Sequence, residues 1–420
     1  MRRAEILAIG SELLLGGRLD TNSLFLTDEL AALGIEVRWK TIVGDDEADI
    51  MDAIRVAGRR AGLVVMTGGL GPTGDDLTRE AVARVTGRPL RRHADTVKGM
   101  MQRLAARGRT PTAAQMKQAL IPTGAAVLDN PVGSAPGFCL SWKTCQLIAL
   151  PGVPAEAKAM FTKEATRFVA EPLQTRAQAR IERRLLHTFG IVEADLDARV
   201  GPLAQSRRGV RLGLLASPLG VTVSLTVCGG SSEMAALEQA ARAVREELGG
   251  LVYAEGTETM EDVVGRALTT RRMTLAVAES CTGGLIGHRL TQVPGSSNYL
   301  DRVLVCYSNA AKMELLDVPK MILARHGAVS PEVAAAMAKG VRERSRADVG
   351  LSVTGIAGPG GGTAQKPVGL VYVGFDARGA GLLAKEFRFH GPRDTIKLRA
   401  SQAALNLLRQ WLPLAQIHKT

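Results

Sequence analysis

The stretch AVAESCTGGLIG, residues 276–287, contains the sharpest change of character in the chain. An apolar run ends in a carboxylate, a hydroxyl, a thiol and a second hydroxyl, and two glycines and a helix-like pattern follow. A short apolar strand that leads through a Gly-rich turn into a helix is typical of α/β proteins with a largely parallel sheet. The polar tip is either a tight turn alone or a place where a small polar ligand is handled.

The same alternation extends in both directions from this stretch. It predicts two three-layer α/β sandwich domains, residues 1–170 and 258–412, joined by a small α+β module at 175–255. The predicted strands are 5–9, 36–42, 62–66, 145–150, 183–189, 221–228, 274–278, 303–307, 349–354, 369–375 and 383–389. The predicted helices are 22–33, 46–60, 75–86, 154–166, 193–200, 232–248, 260–271, 283–290, 331–344 and 393–412.

Composition limits the class of protein. The 420 residues are 46% hydrophobic and 22% charged, which is ordinary for a globular protein. Glu5 and Glu12 interrupt the N-terminal apolar stretch, so we interpret it as a strand rather than a signal peptide and expect a cytoplasmic protein without membrane contact. The net charge of +12 suits anionic small substrates, whereas the scattered arginines make nucleic acid an unlikely partner.

Cysteine and histidine usage excludes two further classes. The five cysteines form no C-x-x-C pair, which indicates reduced thiols rather than a disulfide framework. The six histidines are scattered, with no H-E-x-x-H and no His-Cys cluster, so a structural zinc site is not expected.

The first candidate site is the loop VVMTGGLGPTGDD, residues 64–76. It contains a formal G-x-G-x-x-G fingerprint, but Pro72 stiffens it and Asp75 and Asp76 lie where a pyrophosphate would bind. Two carboxylates beside a phosphate site favour a divalent metal, while the alternative is that they only cap the next helix. Glu12 and the pair 45–46 also follow buried strands, so three acidic loops can converge at one edge of the sheet.

The second candidate site is the opening stretch. Ser280 needs a base, and Lys312 can serve if burial lowers its pKa; Tyr307 could relay a proton or orient the pair. Cys281 is the rival nucleophile, although no histidine is an obvious partner for it. The Gly-rich loop at 352–362 offers backbone amides suited to an oxyanion hole or a phosphate cradle. The alternative is that both Gly-rich loops are plain turns and that the lysine lies on the surface.

These motifs carry a family resemblance. AESCTGG, the stretch YSNAAK and SVTGIAGPGGG together resemble the nicotinamide mononucleotide deamidase domain. AIGSELLLG, DTNS, VGDD and TGGLGPTGDDLT resemble the molybdopterin-binding, MoaB-like domain. The whole chain is similar to the CinA (competence/damage-inducible protein A) family, whose middle module is KH-like.

For the C-terminal domain, the resemblance implies hydrolysis of nicotinamide mononucleotide to nicotinic acid mononucleotide and ammonia without a metal. Ser280 would be the nucleophile, Lys312 its base and Tyr307 an assisting residue. Thr354 and Gly355 would lie near the substrate and polarise its carbonyl. Further substrate-binding positions are Arg393, expected to bind the phosphate, together with Gly283 and Gly284.

For the N-terminal domain, the resemblance implies hydrolysis of the ADP-ribose pyrophosphate bond with a divalent metal (Mg, Mn or Co). Asp46 and Asp76 match the acidic positions of the MoaB-like motifs, and Glu12 and Asp75 are additional candidate ligands. The substrate-binding positions expected there are Gly68, Gly69, Gly71 and Thr73.

The middle module shows no clear G-x-x-G loop, so we interpret it as a spacer or an oligomerisation element, and we expect a homo-oligomer, with a dimer favoured. Two alternatives to the enzyme hypothesis stay open. One is a DNA-associated accessory protein of competence or repair, and the other is a molybdopterin-type binding domain without turnover.

Overall fold

The computed structural model describes residues 3–105, 108, 110, 112–170, 180–378 and 381–412. Two compact units divide the chain, Met1–Glu182 with Val227–Ala235 and Arg183–Thr226 with Ala236–Thr420. Within the described ranges, every helix is too short or too polar to cross a membrane.

The N-terminal domain is built on a six-stranded sheet of order β2-β1-β3-β8-β7-β6, parallel from β2 to β8 and antiparallel beyond it. Its strands are β1 (Arg3–Ile9), β2 (Glu36–Val43), β3 (Leu63–Thr67), β6 (Ala126–Leu128), β7 (Gly137–Trp142) and β8 (Cys145–Leu150), with a separate pair β4 (Leu90–Arg92) and β5 (Leu120–Pro122). Its helices are α1 (Ser11–Leu14), α2 (Thr21–Ala32), α3 (Glu47–Arg60), α4 (Thr78–Thr86), α5 (Ala94–Ala105), α6 (Ala113–Lys117), α7 (Pro154–Met160) and α8 (Thr166–Ala170), with a π-helical turn at Phe161–Ala165.

Successive residues of the central strands face opposite sides of this sheet and create a core on each. Leu7 and Val64 pack with α3 and α4, whereas Ile6 and Val65 pack with α2 and α7. Both faces are therefore covered, as the continuous apolar runs in these strands predict.

The middle module is a four-stranded sheet of order β10-β11-β9-β12 with two helices. Its elements are β9 (Arg180–Thr188), α9 (Glu193–Gln205), β10 (Arg211–Ser217), β11 (Gly220–Gly229), α10 (Ser231–Leu248), a 3₁₀ turn (Gly249–Leu251) and β12 (Val252–Glu255). The sequence pattern predicted two of these strands and both helices, and it missed β10 and the short β12.

The C-terminal domain has a five-stranded sheet of order β14-β13-β15-β16-β17, parallel across β14, β13 and β15 and antiparallel beyond. Its strands are β13 (Leu275–Glu279), β14 (Leu300–Val305), β15 (Val349–Gly355), β16 (Leu370–Ala377) and β17 (Gly381–Arg388). Its helices are α11 (Met260–Arg271), α12 (Leu285–Thr291), α13 (Asn309–Leu316), α14 (Lys320–His326), α15 (Pro331–Ser345) and α16 (Arg393–Trp411), with a 3₁₀ turn at Ser296–Asn298.

The strand β13 lies in the middle of this domain between two helical layers. Val277 packs on the side of α11, α12 and α16, while Ala276 and Ala278 pack on the side of α13, α14 and α15. The predicted fold class is confirmed. Several predicted boundaries are wrong: α4 begins at Thr78 rather than at residue 75, α12 begins after the two glycines, β14 is Leu300–Val305 rather than 303–307, and α9 ends at Gln205 rather than at 200.

Candidate functional site

Ser280 lies at the carboxyl end of β13, the position where open α/β sheets collect their ligands. Its backbone N–H donates to the Val353 carbonyl of the neighbouring strand at 2.9 Å, which extends the parallel pairing by one residue. The side chain is only 8% exposed. The hydroxyl is thus held in a fixed place beneath the surface.

The buried carboxylate of Glu279 shapes the turn that follows. It accepts the backbone N–H groups of Gly284, Ile286 and Gly287 at 3.0, 3.2 and 2.9 Å, so it caps the start of α12 from the strand side. Gly283 and Gly284 take left-handed φ values of 61° and 91°, which allow the sharp reversal. No role was predicted for Glu279 from the sequence, although its place before two glycines and a helix was an available signal.

The side chain of Lys312, on α13, extends to the Ser280 hydroxyl. Its side chain is 1% exposed, and its Nζ lies 3.2 Å from Ser280 Oγ, 2.9 Å from the Cys306 carbonyl and 3.2 Å from the Tyr307 carbonyl. Among the residues described, no carboxylate forms an ion pair with it. Burial lowers the pKa of the Lys312 ammonium below its ordinary value, because the charged form loses its hydration. The alternative of a surface lysine is wrong.

The rival nucleophile Cys281 is buried and poorly suited to attack. Burial raises the pKa of its thiol to about 12, and the nearby Glu279 carboxylate acts in the same direction. The thiolate is the reactive form of cysteine, so this thiol is inert near neutral pH. Next to it, the hydroxyl of Thr282 is fully buried and has no hydrogen-bond partner within the described part of the chain.

Tyr307 contacts Lys312 through its backbone carbonyl rather than through its side chain. The side chain is 60% exposed, and its hydroxyl accepts a hydrogen bond from Arg393 Nη2 at 2.9 Å. Arg393 Nη1 also donates to the Gly358 carbonyl at 2.6 Å, so the arginine joins the tyrosine to the Gly-rich loop. The hydroxyl is therefore engaged with Arg393 rather than with the Ser280–Lys312 pair, which argues against the predicted proton relay.

Thr354 and Gly355 end the neighbouring strand β15. The Thr354 hydroxyl is buried and donates to the Ala328 carbonyl at 2.8 Å, so it is already engaged and does not fit the expected role of polarising a substrate carbonyl. A β-carbon on Gly355 would lie 2.8 Å from the Leu370 carbonyl oxygen, so packing against β16 alone requires glycine there.

A cavity at the carboxyl end of the N-terminal sheet contains most of the other predicted residues. It is lined by Glu12, Asp45, Gly68, Gly69, Gly71, Thr73, Asp75 and Asp76, among others. Asp46 does not line it, because its carboxylate caps α3 through the N–H groups of Ala48 and Asp49 at 2.9 and 3.1 Å. Asp46 is thus a helix cap, whereas the predicted alternative that Asp75 and Asp76 cap the next helix is wrong, because Leu77 holds the N-cap position of α4 without a side-chain cap.

Asp76 holds its own loop together. Its carboxylate accepts the Gly71 N–H at 2.7 Å, the Thr73 N–H at 2.8 Å and the Thr73 hydroxyl at 2.5 Å. These contacts explain why α4 begins at Thr78, because residues 71–77 fold back on this side chain. Within the described ranges there is no group of three His, Cys, Asp or Glu residues that could hold a metal ion. The divalent metal expected from the sequence stays a prediction, and Glu12, Asp75 and Asp76 line the cavity in which it would bind.

Three family models match successive parts of the chain. They are the probable molybdopterin binding domain at residues 5–171, the damage-inducible protein CinA KH domain at 183–254, and the CinA C-terminal domain at 257–412. Together they account for most of the sequence in the predicted order.

Curated relatives match along almost all of this chain and of their own length. A putative competence-damage inducible protein of Moorella thermoacetica is 44% identical over 97% of this chain and 98% of its own length. A CinA-like protein of Acidobacterium capsulatum is 43% identical over 97% and 99%. A solved competence/damage inducible protein from Agrobacterium tumefaciens, 44% identical, covers 36% of this chain and 93% of its own, with a TM-score of 0.35.

Proposed function

The chain belongs to the CinA family, and on that premise we propose that its C-terminal domain hydrolyses the carboxamide of nicotinamide mononucleotide to nicotinic acid mononucleotide and ammonia. The contact that supports the proposal most strongly is the 3.2 Å hydrogen bond between Lys312 Nζ and Ser280 Oγ. A buried lysine without a carboxylate partner can be neutral, and a neutral amine can accept the proton of a serine.

The reaction then proceeds in two balanced steps. Ser280 Oγ attacks the amide carbon while Lys312 takes its proton, and collapse of the tetrahedral intermediate breaks the C–N bond as Lys312 returns the proton to the leaving ammonia. Water then attacks the resulting ester while Lys312 takes a proton from it, and Lys312 returns a proton to Ser280 Oγ as the ester bond breaks. It regenerates Ser280 and releases the carboxylic acid.

The turn supplies the donors for the developing oxyanion. The N–H groups of Ser280 and Gly283 donate to the Val353 and Ser280 carbonyls, and that of Gly284 donates to Glu279. In this proposal the N–H groups of Cys281 and Thr282, which lie between these engaged donors, are the candidates for binding the substrate oxygen. Backbone donors fixed in this way stabilise a tetrahedral intermediate without reorganisation.

The test measures ammonia from purified protein and nicotinamide mononucleotide without added metal. We expect release by the parent, none by Ser280→Ala, and none by Lys312→Met, which keeps the length of the side chain and removes its base. The proposal fails if the parent releases no ammonia, or if Ser280→Ala keeps full activity.

For the N-terminal domain, metal-dependent ADP-ribose hydrolysis stays a prediction of the resemblance. The carboxylates of Asp46 and Asp76 already accept backbone N–H groups, and Glu12 and Asp75 are the other expected metal ligands, both of which line the cavity. Release of AMP from ADP-ribose with Mn²⁺ or Co²⁺, lost in Asp76→Ala, would support hydrolysis. Ligand binding without turnover would favour the molybdopterin-type alternative.

A further inference from the structure

Lys397 lies against the turn that carries Ser280. It belongs to the second turn of α16, and its Nζ is 3.8 Å from the place that a β-carbon on Gly283 would take. Gly283 has no side chain, so the ammonium faces open backbone there. None of the motifs singled out in the sequence contains this lysine.

The ammonium of Lys397 is available for a ligand. The side chain is half-buried, and within the described ranges it takes part in no ion pair and no hydrogen bond. Arg393 lies four residues earlier, on the same face of α16, because residues four apart are neighbours on a helix. Two of the arginine's nitrogens are already engaged by Tyr307 and Gly358, whereas all three donors of the lysine are free.

Two cationic side chains, Arg393 and Lys397, lie at this end of the sheet beside the turn. The carboxylate of Glu279 is fully buried and accepts three backbone N–H groups, so among the described residues it forms no ion pair with either cation. Two such cations favour an anionic substrate.

We propose that Lys397 binds the phosphate monoester of the substrate and so selects nucleotides over nucleosides at this site. The inference rests on the proposed function and adds to it a residue that sets substrate class. Lysine suits this role because its ammonium acts as a point charge that can bind a phosphate. Arg393 is held in place by its contacts and lies at the edge of the same site. Gly283 leaves the approach to the ammonium open.

The decisive experiment compares Lys397→Met, Lys397→Arg and the parent on nicotinamide mononucleotide and on its dephosphorylated nucleoside. We expect Lys397→Met to raise KM for the nucleotide about tenfold with little change in kcat, since a hydrogen bond to a charged group is lost in ground and transition states alike. Activity on the nucleoside should not change, and Lys397→Arg should restore much of the nucleotide affinity.

Lys339→Met is the matched control. Lys339 is exposed on α15, which packs on the opposite face of the sheet from α16, so its removal makes the same change in net charge away from the site. Its kinetics should equal those of the parent. Equal losses by Lys397→Met on nucleotide and nucleoside would overturn the proposal and show a structural role, which a thermal unfolding curve would also register.

A binding measurement separates this inference from the proposed function. Calorimetric titration of the full chain with inorganic phosphate should show binding by the parent and by Lys339→Met, with affinity reduced about tenfold in Lys397→Met. If the parent binds phosphate but releases no ammonia, the reaction is wrong and the anion site stands. If the parent and Lys397→Met bind phosphate equally, or not at all, the inference about Lys397 is wrong.

Discussion

Burial of the Lys312 side chain beside Ser280 makes the stability of the folded protein depend on pH. The pKa of the lysine is lowered in the folded protein, so the folded state binds fewer protons than the unfolded state at pH values between the lowered pKa and the ordinary lysine value. The free energy of unfolding therefore rises with pH through that window. Below it, the full cost of burying the ammonium remains.

The same shift predicts the pH dependence of the reaction. The neutral amine is the base, so kcat/KM should fall as the pH falls through the lowered pKa of Lys312 and level off above it. A pH–rate profile with nicotinamide mononucleotide measures this. Lys312→Arg should be inactive at every pH, since a guanidinium stays protonated; activity in that variant would contradict a lysine base.

Cys281 gives a prediction that distinguishes the two nucleophiles. Its thiol has a pKa of about 12 and stays protonated in the working range, so Cys281→Ala should keep deamidation within a few-fold of the parent. Loss of the buried sulfur should cost about 1 kcal/mol of the free energy of unfolding. Ammonia assays and denaturant unfolding measure both, and loss of ammonia release in a folded variant would indicate a cysteine nucleophile.

The sequence predicted the Ser280–Lys312 contact but not how other side chains are used. The two residues lie in motifs that end one strand and begin one helix, so their meeting follows from the motif pattern. The contacts of the Tyr307 hydroxyl with Arg393 and of the Thr354 hydroxyl with Ala328 join residues 86 and 26 positions apart. Such pairings depend on packing in three dimensions, which no local pattern contains.

At the scale of elements, Glu279 joins β13 to α12. A seven-residue helix is marginal alone, and the carboxylate satisfies three of the N–H groups that its first turn leaves open. Ser280 is placed by this junction, since it lies between the strand end and the capped turn.

We expect Glu279→Gln to lower the free energy of unfolding by about 2 kcal/mol, because the amide NH₂ faces N–H donors and leaves buried donors without an acceptor. Deamidation should fall in parallel as the serine loses its fixed place. The matched control is Glu314→Gln on the exposed face of α13, which removes the same charge. Denaturant unfolding and ammonia release test this, and equal stability of the two variants would contradict the capping role.

Most elements with a long periodic pattern were predicted, but the twelve-residue α5 and the six-residue β7 were missed, as were short or folded-back elements. Helices such as α3 and α15 have capping side chains and clear periodicity, and both were predicted. The start of α4 was misplaced because Asp76 looks like a first-turn residue, yet its carboxylate turns back to Gly71 and Thr73. The three-residue strands β4, β5 and β6 are too short to show alternation.

At the scale of the whole molecule, the net charge of +12 is partly offset on the middle module by ion pairs. Arg184, Arg199 and Arg245 form ion pairs with Glu238, Glu247 and Glu255 at 2.5 to 2.9 Å. Paired arginines release few counterions from DNA, so they contribute little to binding.

This arrangement predicts weak association with DNA. In a fluorescence anisotropy titration at physiological salt, a labelled duplex should bind the full chain no more tightly than about 1 μM, the tight end of the range of non-specific contacts. Binding tighter than this, with a steep dependence on salt, would support the DNA-associated alternative. The result bears on the middle module alone and leaves the deamidase test unaffected.

Glu279 stabilises its turn by contacts that do not depend on catalysis, so the structural and the catalytic residues of this turn can change separately in evolution. The carboxylate and the two glycines keep strand and helix joined whether or not a serine stands between them. A descendant that abandoned catalysis could exchange Ser280 or Lys312 freely, while purifying selection for a folded domain would preserve the other three. We therefore expect catalytically silent relatives to retain the glutamate and both glycines as a vestige of the former nucleophile turn.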